Sequence, residues 1–165
     1  MGLLAVGLSL CASGSAWAQF AADDPDWIES ETPPPPAFSV GKLIQFEVSP
    51  TSSLVYGVDP ASIRISQRDG VVRYVVVAGS ASGATNIMYE GLRCSTGQVK
   101  TYARHFESGG WKNVDKADWT SLFASAPHRH SLALAKAGAC DNKVVPDSVN
   151  ALVRRLKNPA LLGAQ

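Results

Sequence analysis

Two strand-like runs that meet at a short turn dominate the middle of the sequence. Residues 85–94 and 98–106 are rich in β-branched and aromatic side chains, and Ser95-Thr96-Gly97 separates them. A glycine between two such runs is typical of a hairpin, because glycine adopts the positive φ angles that tight turns need. We therefore predict a two-residue turn at Thr96 and Gly97, which pairs Cys94 with Val99, Leu92 with Thr101 and Met88 with His105.

The register of this hairpin decides which side chains share a face, since a shift of one residue exchanges the two faces. With the two-residue turn, the core face carries an apolar set: Met88, Leu92, Cys94, Val99 and Ala103. The opposite face combines aromatic and basic side chains: Tyr89, Arg93, Lys100, Tyr102 and Arg104. Such a face is either an ordinary solvated sheet surface or a binding surface, on which rings stack and cations pair with anions.

Strand patterns also precede this hairpin. They begin near Leu43, Leu54, Ser62 and Val71, and Asp69-Gly70 is a hairpin signal between the last two. Residues 71–78 become apolar on both faces, which is typical of a central strand covered on both sides.

Helix patterns follow the hairpin. Asp115 is placed to cap a short helix with Trp119, Leu122 and Phe123 on one side, whereas residues 128–137 fit either a helix or a strand. The last pattern is the clearest, because four apolar residues recur at helical spacing: Val149, Leu152, Val153 and Leu156. This order predicts an α+β fold, in which an antiparallel sheet of about five strands is followed by two or three short C-terminal helices packed on one face.

The N-terminal region has the composition of an exported chain. Residues 1–18 contain no charged side chain, their apolar run is too short to span a bilayer, and Ala16-Trp17-Ala18 fits a signal-peptidase site. We predict a signal peptide over 1–18, an acidic proline-rich arm over 19–39 and a single α+β domain over 40–160. Cys11 raises the alternative of a lipid anchor. Lipoprotein signals place a small residue before the cysteine, and Leu10 is bulky, so we favour soluble export to the periplasm with no transmembrane segment after cleavage.

Charge is divided between the arm and the domain. Five acids and no base lie among residues 23–31, whereas fifteen bases and nine acids follow residue 36, so the domain carries +6 within a chain of net charge +1. The small net charge gives no signal for nucleic acid. We predict that residues 23–31 dock on the basic domain with Trp27 as the anchor, and that the prolines at 33–36 form a stiff spacer.

Two cysteines, Cys94 and Cys140, follow the predicted signal peptide. An even pair in an exported chain most often forms a disulfide. The same pair without a nearby histidine pattern is a poor zinc signal. We therefore predict a Cys94–Cys140 disulfide that ties the sheet to the helical part.

Several stretches resemble one protein family. They are Trp27 with the prolines that follow it, DGVVRY at 69–74, SGATN at 82–86, YEGLRC at 89–94 and KTYA at 100–103. Together they are similar to the CNP1-like family, a group of Gram-negative envelope proteins described as periplasmic proteins or lipoproteins. The resemblance covers nearly all of the predicted mature chain. It implies a location in the envelope and no particular activity, and Leu10 departs from the lipoprotein description.

Candidates for catalysis are few. We expect Glu90 and His105 in neighbouring strands on the core side, where a carboxylate beside an imidazole performs acid–base chemistry or forms a structural pair. Ala81 occupies the position that a nucleophile elbow reserves for serine, and the sequence has no phosphate-binding loop. His128 and His130 have no obvious third metal ligand. We expect no metal and no cofactor.

Two functions stay open. We favour a non-catalytic periplasmic envelope protein that binds or assembles an envelope component through the basic-aromatic residues Tyr89, Arg93, Lys100, Tyr102 and Arg104. Candidate partners are an envelope glycan, a lipid head group and an acidic protein segment. The alternative is a small periplasmic hydrolase or transferase that uses Glu90 and His105.

Overall fold

The computed structural model describes residues 25–124 and 128–160. The predicted signal peptide, Cys11 and two of the arm's acids, Asp23 and Asp24, lie outside these residues. Within them the chain forms one antiparallel sheet of eight strands with two α-helices after it. The predicted α+β fold is confirmed, although the strands outnumber the expected five.

The strands are β1 (Ile44–Phe46), β2 (Leu54–Val58), β3 (Arg64–Ser66), β4 (Val71–Ser80), β5 (Thr85–Arg93), β6 (Gln98–Phe106), β7 (Gly110–Asn113) and β8 (Thr120–Ser121). Their order across the sheet is β1-β2-β4-β5-β6-β7. β2 pairs with the second half of β4 and β3 pairs with the first half, whereas β8 pairs with the start of β6. The long strands β4, β5 and β6 therefore form the centre of the sheet.

Strands β4 and β5 are buried on both faces, which the apolar run at 71–78 predicted for β4. One face packs on the helices, through side chains such as Val72, Tyr74, Val76, Met88 and Leu92. The other face packs on N-terminal residues and on neighbouring strands, through Val75, Val77, Ile87, Tyr89 and Ala103. The sheet thus separates a larger core on the helix side from a smaller one beneath the N-terminal region.

The predicted register of the central hairpin is wrong. Arg93 pairs with Gln98, so the turn has four residues. Gly97 is the last of them, with φ 64°, and its N–H donates to the Arg93 carbonyl at 3.0 Å. A β-bulge follows, because Glu90 pairs with Thr101 whereas the preceding Tyr89 pairs with Ala103. Tyr102 is the extra residue, and the bulge moves Ala103 to the face opposite Leu92 and Val99.

The ambiguous segment at 128–137 is helical. Helix α1 (Arg129–Leu134) continues into a π-helical turn (Ala135–Ala139), which Gly138 ends with φ 116°. A β-carbon at Gly138 would lie 2.6 Å from Cβ of Arg155, so glycine allows helix α2 (Val149–Lys157) to approach closely. Helix α2 was predicted, and its N-cap Ser148 accepts a hydrogen bond from the Ala151 N–H.

The helix predicted after Asp115 is wrong. Lys116 has φ 51°, a left-handed conformation that a right-handed helix excludes. Thr120 and Ser121 instead pair with Val99 and Gln98 as strand β8. Long-range pairing with β6 therefore makes this segment a strand rather than a helix.

The Cys94–Cys140 disulfide is confirmed, with the two Cα atoms 5.5 Å apart. It links the end of β5 to the residue after the π-helical turn, and so joins the sheet to the helical layer. None of the helices in the described part of the chain has the length and apolar character needed to cross a lipid bilayer.

Candidate functional site

The candidate site is the sheet face opposite the helices, across which residues 25–32 lie. We call residues 25–32 the arm segment. We call the surface beneath it the arm face, formed by Asp69, Arg73, Tyr89, Arg93, Lys100, Tyr102 and Trp119. The prediction that the acidic segment docks on the domain with Trp27 as its anchor is confirmed for these described residues.

Trp27 lies in a slot made by three residues of the arm face. The Arg93 guanidinium carbon lies 3.7 Å from the centroid of the Trp27 ring, a stacked cation–π geometry. Trp119 meets the same ring edge-on, with centroids 5.7 Å apart and an interplanar angle of 83°. The indole Nε1–H donates to the Asp69 carbonyl at 2.9 Å. The slot therefore satisfies both the flat face and the polar edge of an indole.

Glu29 lies in a pocket where four side chains of the domain donate to it, and Thr32 of the arm segment also donates, at 3.2 Å. Tyr102 donates its hydroxyl to Oε1 at 2.7 Å, and Arg73 donates to the same oxygen at 3.3 Å. Lys100 and the Trp119 indole donate to Oε2 at 3.0 Å and 3.1 Å. The Glu29 side chain is 17% exposed and that of Arg73 only 4%. The pocket thus holds a carboxylate that is largely removed from water, with two cations and two neutral donors.

These contacts determine the ionisation states of Glu29 and Tyr102. Burial alone would raise the pKa of Glu29, but the hydrogen bonds from Tyr102 and Lys100 outweigh it and the pKa is lowered. Burial raises the pKa of Tyr102, and the bond to Glu29 raises it further. At neutral pH the carboxylate is therefore ionised while the phenol keeps its proton to donate.

A third set of contacts fixes the main chain of the arm segment. The Ser30 N–H donates to Oδ2 of Asp69 at 2.9 Å, and Arg73 donates to the Ser30 carbonyl at 3.4 Å. Arg73 also pairs with Oδ2 of Asp69 at 3.0 Å. Burial raises the pKa of Asp69, but hydrogen bonds from Ser66, Arg73 and Ser30 outweigh it, so the pKa is lowered. Asp69 and Arg73 together hold the main-chain N–H and carbonyl of Ser30.

The bulge in β6 and a glycine in β5 place Tyr102 over the sheet. A β-carbon on Gly91 would lie 2.9 Å from Cε2 of Tyr102, which real contacts do not allow. The missing side chain leaves the space in which the Tyr102 ring lies across β5 towards Glu29. Bulges re-aim side chains in this way at functional sites.

The structure brings together four of the five residues predicted to bind: Tyr89, Arg93, Lys100 and Tyr102 all belong to the arm face. Arg104 does not, because the bulge pairs it with Met88 and its guanidinium donates to Asn86 at 3.4 Å. The arm segment contacts Arg93, Lys100 and Tyr102, whereas Tyr89 is 1% exposed beneath Tyr102 and Trp111. What the sequence suggested as an open sheet surface is an occupied one.

Sequence reasoning missed Asp69, Arg73 and Trp119. Arg73 carried a signal, since it is the one charge in the run VVRYVVVA, and a charge in a central strand needs a buried partner. Asp69 was interpreted only as a turn residue. Trp119 gave no signal, because its partners Trp27 and Glu29 are about ninety residues away in sequence.

Glu90 and His105, the candidate catalytic pair, lie on opposite faces of the sheet. His105 contacts Phe38 and Trp111 on the arm side. Glu90 is 1% exposed on the helix side and accepts hydrogen bonds from several groups: Tyr74, Thr101, Ser131 and the ring Nε2 of His130, the last at 3.1 Å to both oxygens. Glu90 and His105 were expected on one face because the sequence carries no sign of the bulge, which reverses the faces of β6 after Thr101.

The Glu90 cluster has the residue types of a hydrolytic triad without its geometry. Ser131 donates to Glu90 rather than to His130, and Ser131 is 0% exposed. A nucleophile needs a base within reach and access to substrate. This cluster therefore anchors α1 to the sheet.

The fold and the site define a class: an α+β protein with an antiparallel sheet that holds its own acidic arm on the face away from the helices. A family model described as the CNP1-like family matches residues 22–157. The chain therefore belongs to the CNP1-like family, and the match includes the arm segment as well as the sheet and helices. No curated protein and no solved structure matches the chain.

Proposed function

We propose that the chain is an exported, non-catalytic protein of the periplasm that binds an acidic protein segment of the cell envelope on the arm face. The arm segment occupies this face when the partner is absent. One observation carries the proposal: the Glu29 carboxylate is held by Arg73, Lys100, Tyr102 and Trp119 in a pocket built by a bulge and a glycine.

A protein segment fits this pocket better than the other candidate partners. With the arm segment docked, Arg73 is 4% exposed and Glu29 reaches it on a slender side chain from an extended main chain. A membrane surface presents head groups on a broad plane, and a neutral glycan supplies no charge for Arg73 and Lys100. An extended acidic polypeptide provides both the reach and the charge.

Exchange of the arm segment is energetically accessible. Lys100 and Glu29 keep only 20% and 17% of their side-chain surfaces exposed, and the cost of removing two charges from water offsets much of their attraction, so the net contribution of the pair is modest. The Tyr89 hydroxyl, Arg73 Nε and Ser30 Oγ are buried without a hydrogen-bond partner among the described residues, so the arm segment does not satisfy this face completely. A net preference of about 2 kcal/mol for the docked arm would raise a competitor's apparent Kd only about 30-fold.

Trp27 fluorescence tests the proposal in the full chain. We expect poly-L-glutamate to displace the arm segment, to shift the Trp27 emission to longer wavelength and to increase its quenching by acrylamide. A Trp27→Phe variant isolates this signal from Trp111 and Trp119. Phosphatidylglycerol vesicles and peptidoglycan fragments are the comparison ligands. A response to either of these without a response to poly-L-glutamate would reassign the partner, and no response to any of them contradicts a binding role for this face.

Location is a separate prediction. The charge-free segment 1–18 and Ala16-Trp17-Ala18 predict that the mature protein begins at Gln19 and is recovered in the soluble periplasmic fraction. N-terminal sequencing after osmotic shock measures both. A mature chain that begins at acylated Cys11 would show a lipoprotein instead.

A further inference from the structure

We infer, resting on the proposed function, that the arm face recognises a tryptophan and a glutamate two residues apart in an extended segment, so that its partner carries a Trp-x-Glu sequence. The contacts of the arm segment supply the pattern. They divide into an indole slot, a carboxylate pocket and a main-chain clamp, and each selects a different chemical feature.

The indole slot selects tryptophan over other aromatic residues. Stacking on Arg93 at 3.7 Å needs only a flat ring. The hydrogen bond to the Asp69 carbonyl at 2.9 Å needs an N–H at the ring edge, which phenylalanine lacks. A phenylalanine here would leave a carbonyl beneath the arm without its donor.

The clamp fixes the direction and spacing of the segment. Asp69 accepts the Trp27 indole with its carbonyl and the Ser30 N–H with its carboxylate, so one residue sets the distance from the ring to the main chain three positions later. Arg73 donates to Ser30 and to Glu29, which ties the clamp to the pocket. A segment that runs in the opposite direction would present its N–H and carbonyl groups in the wrong places.

The pocket selects glutamate, and the residue between is not recognised. Its four donors come from β4, β6 and the residue before β8, and they meet around a carboxylate at the end of two methylenes. Aspartate is one methylene shorter and cannot reach all four. Ile28, between Trp27 and Glu29, is 82% exposed. The middle position of the Trp-x-Glu pattern can therefore be any residue.

Peptide binding to a full-length variant tests the pattern. The double variant Trp27→Ala/Glu29→Gln keeps the whole chain but removes the arm's own hold on the face. The probe is a fluorescein-labelled peptide with the sequence of residues 25–32, measured by fluorescence anisotropy. We expect the peptide to bind this variant about 30-fold more tightly than the wild-type chain, in which the arm competes.

Substitutions within the peptide separate recognition from charge. Trp27→Ala and Glu29→Gln in the peptide should each weaken binding about 10-fold or more, because each removes hydrogen bonds to buried or charged groups. Ile28→Ala and Glu31→Gln are the matched controls and should change the Kd less than about twofold, since both side chains are exposed.

Two failures are distinguishable. If the double variant binds poly-L-glutamate and binds all the peptides equally, the Trp-x-Glu pattern is wrong while the proposed function stands. If it binds neither polymer nor peptide, both are wrong. Far-UV circular dichroism checks that the variant is folded. If it is not folded, unlabelled peptides at millimolar concentration can compete with the arm segment of the wild-type chain, and this competition ranks the same four substitutions.

Discussion

At the scale of single residues, Tyr102 shows how the sheet is adapted to hold a carboxylate. The bulge places it beside Thr101 without pairing it, and Gly91 leaves the space that its ring fills. Its hydroxyl makes the shortest of the four domain contacts to Glu29, at 2.7 Å. The bulge thus positions Tyr102, Gly91 makes room for its ring, and its protonated hydroxyl donates to Glu29.

A Gly91→Ala substitution should displace Tyr102. Its β-carbon would overlap the Tyr102 ring, and overpacking of this kind costs about 1–3 kcal/mol. We expect urea unfolding to show the loss and acrylamide to quench Trp27 more strongly. Gly79→Ala in neighbouring β4 is the control, because its nearest non-neighbouring atom would lie 4.0 Å away. Equal behaviour of the two variants would contradict the role given to Gly91.

The Glu29 carboxylate should hold the arm more than the other acids do. Glu29→Gln removes the charge that Arg73 and Lys100 pair with, and should lower the free energy of unfolding by about 1–3 kcal/mol. Glu31→Gln removes the same charge from an exposed position and should change it by less than about 0.5 kcal/mol. Urea titrations of the two variants provide the comparison, and equal losses would show that only net charge holds the arm.

At the scale of elements, helix α1 depends on the cluster around Glu90. Six residues are too few for a stable isolated helix. His130 and Ser131 attach it to Glu90 on β5, and Tyr56 of β2 stacks on the His130 ring with centroids 5.4 Å apart. Tertiary contacts therefore make this segment helical.

The Glu90 cluster predicts that stability falls in acid. Burial would raise the pKa of Glu90, but hydrogen bonds from His130, Tyr74 and Ser131 outweigh it, so its folded pKa lies below the ordinary 4.5. A lowered folded pKa gives stability that is present above the unfolded pKa and is lost as the pH falls through the folded value. The groups that face Glu90 are Tyr74, Thr101, His130 and Ser131.

Urea unfolding between pH 7 and pH 3 measures this dependence. The wild-type free energy of unfolding should decline below about pH 5. Glu90→Gln should be less stable at neutral pH and decline less steeply, with the remaining slope due to Glu29, Asp69 and His128, whose pKa values are also lowered. Parallel curves for the two proteins would show that Glu90 does not titrate as described.

At the scale of the whole molecule, the disulfide joins the two layers. Cys94 and Cys140 are 46 residues apart, and loop-entropy arguments give such a cross-link about 4 kcal/mol, a model-dependent value. We expect Cys94→Ala/Cys140→Ala to lose a stability of this order in urea. Thiol titration of the denatured, unreduced chain that begins at Gln19 should find almost no free thiol, and two free thiols would contradict the bond.

Some features of the molecule follow from the sequence because their causes are local or compositional. Helix α2 can be predicted from its apolar spacing and its N-cap Ser148. Strand β4 can be predicted to be central because it is apolar on both faces. The disulfide follows from an even cysteine pair in a chain that the sequence predicts to be exported. Docking of the arm follows from opposite charges on one short chain, which is why Trp27 and the acidic segment were predicted correctly.

Tertiary structure alone decided the register, the bulge and the partners of Glu29. A hairpin turn of two residues and one of four fit the same sequence, and the sequence gives no sign of the bulge at Tyr102, whose ring fills the space above Gly91. The bulge, rather than the length of the turn, separated Glu90 from His105 and moved Arg104 off the binding face. Trp119 became part of the site because β8 pairs with β6. Such contacts join residues far apart in sequence, so their energies cannot be assigned before the chain has folded.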